Sequence, residues 1–158
     1  MALKVMRIHR DDVESWHWMP FVLERIEKFC VSMDVESEPF DVSNLVRALF
    51  TVGDPRLGLW IAVGDGQVIG HLLATPEPWG ENRYRYVLIR QAWVDKRVDA
   101  RLESGRVFDE VKGWVKSLGV SRLVMLTHRD EGVFMRRYGW KPYKSLMQMN
   151  IEVARKEA

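Results

Sequence analysis

The order of elements in the second half of the chain constrains the fold more than any other feature of the sequence. The patterns of apolar residues and turn signals predict a strand over 84–94, a helix over 107–118, a strand over 122–127, a short helix over 130–138 and a strand over 145–151. Glycines at 119 and 139 end the two helices, as glycine commonly does. The middle strand is nearly all apolar, which is typical of a strand in a sheet covered on both faces.

The N-terminal region predicts a strand and a long amphipathic helix. Residues 3–8 alternate apolar and polar side chains, and Asp11 or Asp12 is expected to cap a short helical turn that runs through Trp16. Pro20 suits the first turn of a longer helix, where its missing N–H costs nothing. That helix carries one apolar stripe at helical spacing, formed by Met19, Val22, Leu23, Ile26, Phe29, Cys30 and Met33.

A second helix and a β-hairpin complete the first half of the chain. Asp41 or Ser43 is expected to begin the helix, which ends at Phe50. Two apolar runs over 57–63 and 67–74 then flank a Gly-Asp-Gly sequence, and Asp-Gly between apolar runs is a strong hairpin signal.

Length and composition narrow the class of protein. With 158 residues, the chain is expected to form a single domain over 1–152 with a C-terminal tail over 153–158. A formal net charge of +2 does not favour a nucleic-acid partner, and no apolar run approaches the roughly 20 residues of a membrane helix. The single Cys30 cannot form an internal disulfide, which favours a cytoplasmic protein. The scattered histidines and cysteine predict no metal site.

Three local features carry a family resemblance. They are the hairpin over 61–70, the step from Trp93 and Val94 into the helix over 107–118, and the sequence Phe-Met-Arg-Arg-Tyr-Gly-Trp-Lys-Pro-Tyr over 134–143. In this order and spacing they resemble the GNAT acyltransferase superfamily over nearly the whole chain. The resemblance implies an α/β (α+β) fold, the GNAT-like acyl-CoA N-acyltransferase fold, with a mixed central sheet of about six to seven strands flanked by about four helices.

The resemblance implies acetyl-CoA as a co-substrate. In the family, the strands that match 84–94 and 122–127 are parallel neighbours that splay apart. The pantetheine arm enters between them, and the pyrophosphate rests on backbone N–H groups at the start of the following helix. The implied binding residues are Trp93, Val94, Asp99, Ala100, Arg101, Leu102, Glu103 and Ser104.

The expected phosphate loop departs from the family's pattern of arginine, any two residues, glycine, any residue, and glycine or alanine. Counted back from the glycine at 119, these positions hold Asp99, Leu102 and Ser104, so both glycines are absent and an anion replaces the cation. We expect residues 95–106 to form a polar loop. Nearby arginines supply compensating charge for a phosphate, or the loop is a solvated segment that binds none, and both interpretations stay open.

The candidate catalytic residues also depart from the family. Met135 occupies the position where many members have a tyrosine that protonates the leaving thiolate. Tyr138, three residues on and nearly on the same helical face, is the candidate acid, with core packing as the alternative. The strand that contains Gln91 offers no carboxylate as a base, so His128 and, with less weight, His71 are the titratable candidates. A structural role for each histidine stays open.

Two functions follow from these observations. The first is an N-acetyltransferase that moves an acetyl group from acetyl-CoA to an amine on a small molecule or a protein. The second is a catalytically inactive protein of the same fold that serves as a binding adaptor or as a structural subunit, with a homodimer or an assembly partner.

Overall fold

The computed structural model of this protein describes residues 3–32, 47–78, 83–95, 100–125, 136 and 139–141, of which 29–32, 52 and 100–104 are described by their backbone alone. The chain divides into two compact units, Met1–Leu126 and Thr127–Ala158. The fold and the site described below belong to the first unit, and the prediction of one domain over 1–152 stays a prediction.

A five-stranded mixed sheet forms the centre of the first unit. Its strands are β1 (Leu3–Arg7), β2 (Gly58–Gly64), β3 (Gln67–Glu77), β4 (Tyr86–Val94) and β5 (Leu123–Met125). They lie side by side in chain order, and β1 to β4 are antiparallel to one another. The β4–β5 pair is parallel, as the resemblance implies, and a helix lies between the two strands in the chain.

The hairpin between β2 and β3 confirms the sequence prediction. Asp65 and Gly66 form a two-residue loop with φ angles of 50° and 73°. Positive φ at both central residues is the feature of a type I′ turn, whose twist matches that of the flanking strands. The strand after the loop is longer than predicted and runs through Pro76 to Glu77.

Helix α1 (Val13–Ser32) differs from its prediction, because it is one helix rather than a short turn followed by a second start at Pro20. Asp12 caps it, since Asp12 Oδ1 accepts a hydrogen bond of 3.1 Å from the backbone N–H of Glu14. Pro20 lies inside the helix and on its exposed side. Buried side chains on both sides of this proline, Ser15 and Val22 among them, hold the helix continuous against the sheet.

The other described helical segments also begin or end away from their predicted bounds. Residues Arg47–Val52 form a π-helical turn, so the described end of the second predicted helix is wider than an α-helix and extends past Phe50. Helix α2 (Ala100–Ser117) begins at Ala100, and the predicted polar loop over 95–106 is therefore wrong for its second half. Its C-terminal cap is confirmed, because Gly119 adopts a φ of 72°.

The two helices cover opposite faces of the sheet. On the α1 side, apolar side chains of the helix and of β1 to β3 form one core cluster, which includes Met6, Met19, Val22, Ile26, Leu59, Ile61 and Leu73. On the α2 side, the rings of Trp60 and Trp114 lie 5.3 Å apart, and the Arg7 guanidinium carbon lies 5.5 and 5.4 Å from their centroids. Arg7 also donates to the carbonyl of Pro55 at 3.0 Å, which ties the loop before β2 to the sheet.

The mixed sheet and flanking helices confirm the predicted fold class. The described residues contain five strands and two α-helices, against about six to seven strands and about four helices expected from the resemblance. The short helix over 130–138 falls mostly outside the described residues, as does the whole strand over 145–151. The side chain of Cys30 lies outside them as well.

Candidate functional site

The described parallel pairs between β4 and β5 lie along the first part of β4. They are Val87 with Leu123, Leu88 with Val124 and Ile89 with Met125. Beyond Ile89, β4 continues to Val94, and the residues that directly follow Met125 lie outside the described part of the chain. We call the β5-side edge of 90–94, where the resemblance places the pantetheine arm, the β4 opening.

A β-bulge directly follows the last described parallel pair. Against β3, Leu73 pairs with Gln91 and Ala74 pairs with Ile89, so Arg90 is the extra residue in β4. A bulge bends its strand and increases the local twist, which turns the remainder of β4 away from the line of the first part. The sequence gives no signal for this bulge, since Arg90 lies within an unbroken run of strand-forming residues.

The bulge also decides which backbone groups point into the β4 opening. Before it, the N–H of Val87 points toward the β5 side, where it donates to Arg122 O at 2.9 Å. After it, the N–H of Asp95 points toward β3 and donates to Ile69 O at 2.7 Å. Because successive peptide groups of a strand alternate in direction, the N–H and C=O of Val94 point away from β3 and into the opening.

The close approach of β3 and β4 supports this assignment. A Cβ atom placed on Gly70 would lie 3.0 Å from the carbonyl oxygen of Trp93, so that carbonyl is directed at β3. The carbonyl of Val94, the next residue, is then directed to the opposite side. Trp93 and Val94 are two of the residues that the resemblance implies for acetyl-CoA, and the structure places both at this edge.

Polar side chains gather on the α1 side of β3 and β4 near the bulge. We call them the α1-side cluster: Arg25, His71, Glu77, Arg90 and Gln91. Arg90 donates from Nη2 to Glu77 Oε1 at 2.6 Å and from Nε to Thr75 Oγ1, also at 2.6 Å. His71 Nε2 lies 3.2 Å from Gln91 Oε1. Since a bulge sends two successive side chains to one face, Arg90 and Gln91 both join this cluster.

His71 is an almost fully buried histidine within the cluster, with 4% of its surface exposed. Burial lowers the pKa of its imidazole to about 4, and the nearby charge of Arg25 lowers this pKa further, while the hydrogen bond with Gln91 acts in the opposite direction. The ring is therefore neutral near pH 7. It is a weaker base than an exposed histidine, because the site disfavours its protonated form.

Arg25 of α1 reaches over the end of β4. Its guanidinium carbon lies 4.9 Å from the ring centroid of Trp93, a cation–π contact, and the Trp93 ring lies 6.0 Å from that of His71. The side chain of Arg25 is on the exposed part of the helix, whereas Trp93 is half-buried. A positive charge thus stands beside the β4 opening, on its α1 side.

The start of α2 follows β4 after a short segment. Residues Ala100–Ser104 form the first turns of the helix, so the backbone N–H groups at its beginning have no partner within the helix itself. Such an end favours an anion because of these N–H groups and the helix dipole. The positions predicted for phosphate binding therefore lie at a helix N-terminus rather than in a loop, with Asp99 outside the described residues.

The predicted catalytic residues are not tested by this arrangement. Tyr138 and His128 lie outside the described residues, and Trp93 and Val94 lie at the β4 opening. Sequence reasoning missed Arg25, Glu77 and Arg90. No local sequence pattern identifies them. Arg25 occupies an ordinary solvent-exposed position of a helix, and Glu77 and Arg90 meet only because β3 and β4 pair in this register.

Two kinds of feature are absent from the described part of the chain. It contains no cluster of histidine, cysteine or carboxylate side chains suited to hold a metal ion. None of its helices is long and apolar enough to cross a membrane.

Several solved structures with a similar fold are acetyltransferases. An aminoglycoside acetyltransferase from an uncultured soil metagenomic sample has a TM-score of 0.64 and 15% identity, over 98% of this chain and 100% of that one. A predicted acetyltransferase from Clostridium acetobutylicum, solved with acetyl-CoA, has a TM-score of 0.65 and 13% identity, over 94% and 96%. Glucosamine-6-phosphate N-acetyltransferase from Arabidopsis thaliana has a TM-score of 0.67 and 13% identity, over 96% and 100%. Neither a protein-family model nor a curated protein matches the sequence. At these identities the likeness shows the fold alone, and it is the fold of GNAT acetyltransferases.

Proposed function

We propose that this protein, which has the fold of GNAT acetyltransferases, is an N-acetyltransferase that uses acetyl-CoA. The observation that carries the proposal is the geometry of the β4 opening: β4 continues past Ile89, bends at Arg90 and directs the polar backbone groups of Val94 away from β3, toward the side where the resemblance places acetyl-CoA. A structural neighbour solved with acetyl-CoA supports the same co-substrate.

In this proposal acetyl-CoA is held mainly by backbone groups. The amide groups of the pantetheine arm add to the edge of β4 as a short strand would, with hydrogen bonds to the N–H and C=O of Val94 beside Trp93. The pyrophosphate lies at the N-terminus of α2, on backbone N–H groups among residues Asp99, Ala100, Arg101, Leu102, Glu103 and Ser104. Because these donors are backbone groups, they persist although the side chains of the family's phosphate loop are replaced.

The reaction is a direct transfer. The neutral nitrogen of the acceptor amine attacks the thioester carbonyl carbon, a C–N bond forms through a tetrahedral intermediate, and the C–S bond then breaks. The proton lost by the nitrogen passes to His128 or to water, and the thiolate takes a proton from Tyr138 or from water. His71 is unsuited to accept the amine's proton, because its pKa is lowered to about 4.

The acceptor in this proposal is an amine on a small molecule, in keeping with the glucosamine-6-phosphate N-acetyltransferase among the structural neighbours. A cytoplasmic location belongs to the same proposal, because a single cysteine suits a reducing compartment.

A second candidate function is a catalytically inactive protein that binds a partner as an adaptor, as a structural subunit or as a homodimer. Two observations favour it. Met135 stands where an acid is expected, and Glu77, the carboxylate of the α1-side cluster, is engaged by Arg90 rather than available as a base.

Thermal unfolding with acetyl-CoA separates the two functions. At about 100 times its Kd, acetyl-CoA is expected to stabilise the folded protein by about 2.7 kcal/mol, which a differential scanning measurement resolves as a rise in Tm. Absence of any shift at millimolar acetyl-CoA contradicts the transferase.

Where binding is seen, release of the CoA thiol with a panel of amines measures the transfer itself. If Tyr138 is the acid, Tyr138→Phe lowers kcat by a factor of about 10²–10⁴ and leaves the acetyl-CoA-induced rise in Tm unchanged. Unchanged turnover assigns the thiolate's proton to water.

A further inference from the structure

A cationic side chain, that of Arg25, lies on the α1 side of the β4 opening. Arg25 lies 4.9 Å over Trp93, at the end of β4 where acetyl-CoA is proposed to bind. Its side chain is exposed, so it is accessible to a molecule that approaches from the α1 side. Among the described residues, no carboxylate forms an ion pair with it.

In the described part of the chain, the carboxylates near Arg25 form ion pairs with other cations. Arg90 and Glu77 neutralise each other through their 2.6 Å ion pair. Glu24, the neighbour of Arg25 in the helix, is bound to Lys28, also at 2.6 Å. His71, whose ring lies 6.0 Å from that of Trp93, and Gln91, its hydrogen-bond partner, carry no charge near pH 7. In the described cluster, one positive charge therefore remains, at the tip of Arg25.

The positive charge of Arg25 beside the transfer site favours acceptors that carry a negative charge. An acceptor with a carboxylate or phosphate near its amine gains a charge-assisted hydrogen bond from the guanidinium. An acceptor that carries several ammonium groups meets a like charge and finds no unengaged carboxylate in the described cluster.

We propose that Arg25 selects an acceptor in which an anionic group, a carboxylate or a phosphate, lies close to the amine that is acetylated. The proposal rests on the proposed transferase function and assigns its substrate class. Arg25 binds the anion and takes no part in the transfer of the proton or of the acetyl group, so its effect is expected in KM rather than in kcat.

Matched pairs of amines test this substrate class. β-Alanine against n-propylamine tests a carboxylate, glucosamine 6-phosphate against glucosamine tests a phosphate, and spermidine serves as the polycationic amine. Release of the CoA thiol gives kcat and KM for each. In the wild-type protein, kcat/KM is expected to be about tenfold or more higher for at least one anionic amine than for its neutral partner. The pair of amines that shows the preference identifies whether Arg25 recognises a carboxylate or a phosphate.

The variants are Arg25→Gln, Arg25→Lys and, as the control, Lys112→Gln. Arg25→Gln and Lys112→Gln each remove one exposed positive charge from a helix, but only Arg25 lies over Trp93, whereas Lys112 belongs to α2. Arg25→Gln is expected to abolish the preference through KM, Arg25→Lys to restore part of it, and Lys112→Gln to retain it. Equal Tm values without ligand show that the variants fold alike.

Two results would overturn the inference. The first is a kcat/KM for the neutral amines or for spermidine that equals or exceeds that for the anionic amines. The second is a preference for anionic amines that persists in Arg25→Gln. In both cases the transferase itself stands. If acetyl-CoA raises Tm but no amine in the panel is acetylated, the substrate class is wrong. If acetyl-CoA does not bind, the proposed function is wrong, and so is the inference that rests on it.

Discussion

The buried neutral imidazole of His71 makes a quantitative prediction about stability and pH. Folding holds this ring in a site that lowers its pKa from 6.5 to about 4, chiefly through burial. Between these two values the unfolded chain binds a proton that the folded protein does not. The stabilising effect of the low pKa is therefore complete above about pH 6.5, declines as the pH falls through this window and is fully lost below about pH 4.

The size of the effect follows from the two pKa values. The gap between 6.5 and about 4 corresponds to roughly 3 kcal/mol in total, since each pKa unit is worth about 1.4 kcal/mol. Between pH 7 and pH 5 the loss from this one group is about 2 kcal/mol. This is a large share of the stability of a typical domain, about 5–15 kcal/mol.

Urea unfolding at pH 7, 6 and 5 measures this loss. The wild-type protein is compared with His71→Gln, which removes the titrating ring, and with His17→Gln, which removes an exposed histidine from α1. The free energy of unfolding is expected to fall between pH 7 and pH 5 by about 2 kcal/mol more in the wild type and in His17→Gln than in His71→Gln. Parallel pH profiles for the wild type and His71→Gln refute the reasoning, whatever the absolute stability of the variant.

Two further predictions concern the sheet and the β4 opening. Gly58→Ala places a Cβ against the ring of Trp60 and 3.2 Å from that of Trp114, so urea unfolding is expected to show a loss of about 1–3 kcal/mol. Gly113→Ala is the control, because its Cβ meets no atom within 4 Å and alanine favours a helix by about 0.5–1 kcal/mol; an equal loss in both variants contradicts the account of the packing. Val94→Pro removes an N–H that points into the opening and not toward β3, and calorimetry is expected to show about 3–10-fold weaker acetyl-CoA binding. Unchanged affinity argues against a hydrogen bond at that residue.

Local chemistry made much of the sheet predictable from sequence. The Asp65-Gly66 turn requires two residues that tolerate positive φ, so its sequence marks both its place and its type. The apolar runs on either side define β2 and β3, and the order of strand, helix and strand defines the parallel pair. Gly119 marks the end of α2 for the same reason of positive φ.

The bounds of the helices were less predictable, because burial outweighs local preference there. Pro20 indicated a helix start, yet the buried residues before it belong to the same helix, and the proline is accommodated on the exposed side. The polar composition of residues 95–106 indicated a loop, although a surface helix also needs polar residues where it faces water.

The α1-side cluster depends on contacts between residues far apart in the chain. Glu77 meets Arg90 only in the register of β3 with β4, and the bulge that turns Arg90 toward it has no sequence signal. Arg25 reaches Trp93 only because α1 packs on that face. Sequence reasoning identified the strand that carries the site but not the side chains around it.

The most direct test of whether the β4 opening receives the pantetheine arm is hydrogen exchange at the backbone of β4. The exchange is measured with and without saturating acetyl-CoA. We expect acetyl-CoA to slow the exchange of amides in 92–94 and at the start of α2, while amides in 58–64 exchange at unchanged rates. Acetyl-CoA that binds without protecting 92–94, or that does not bind, contradicts the account.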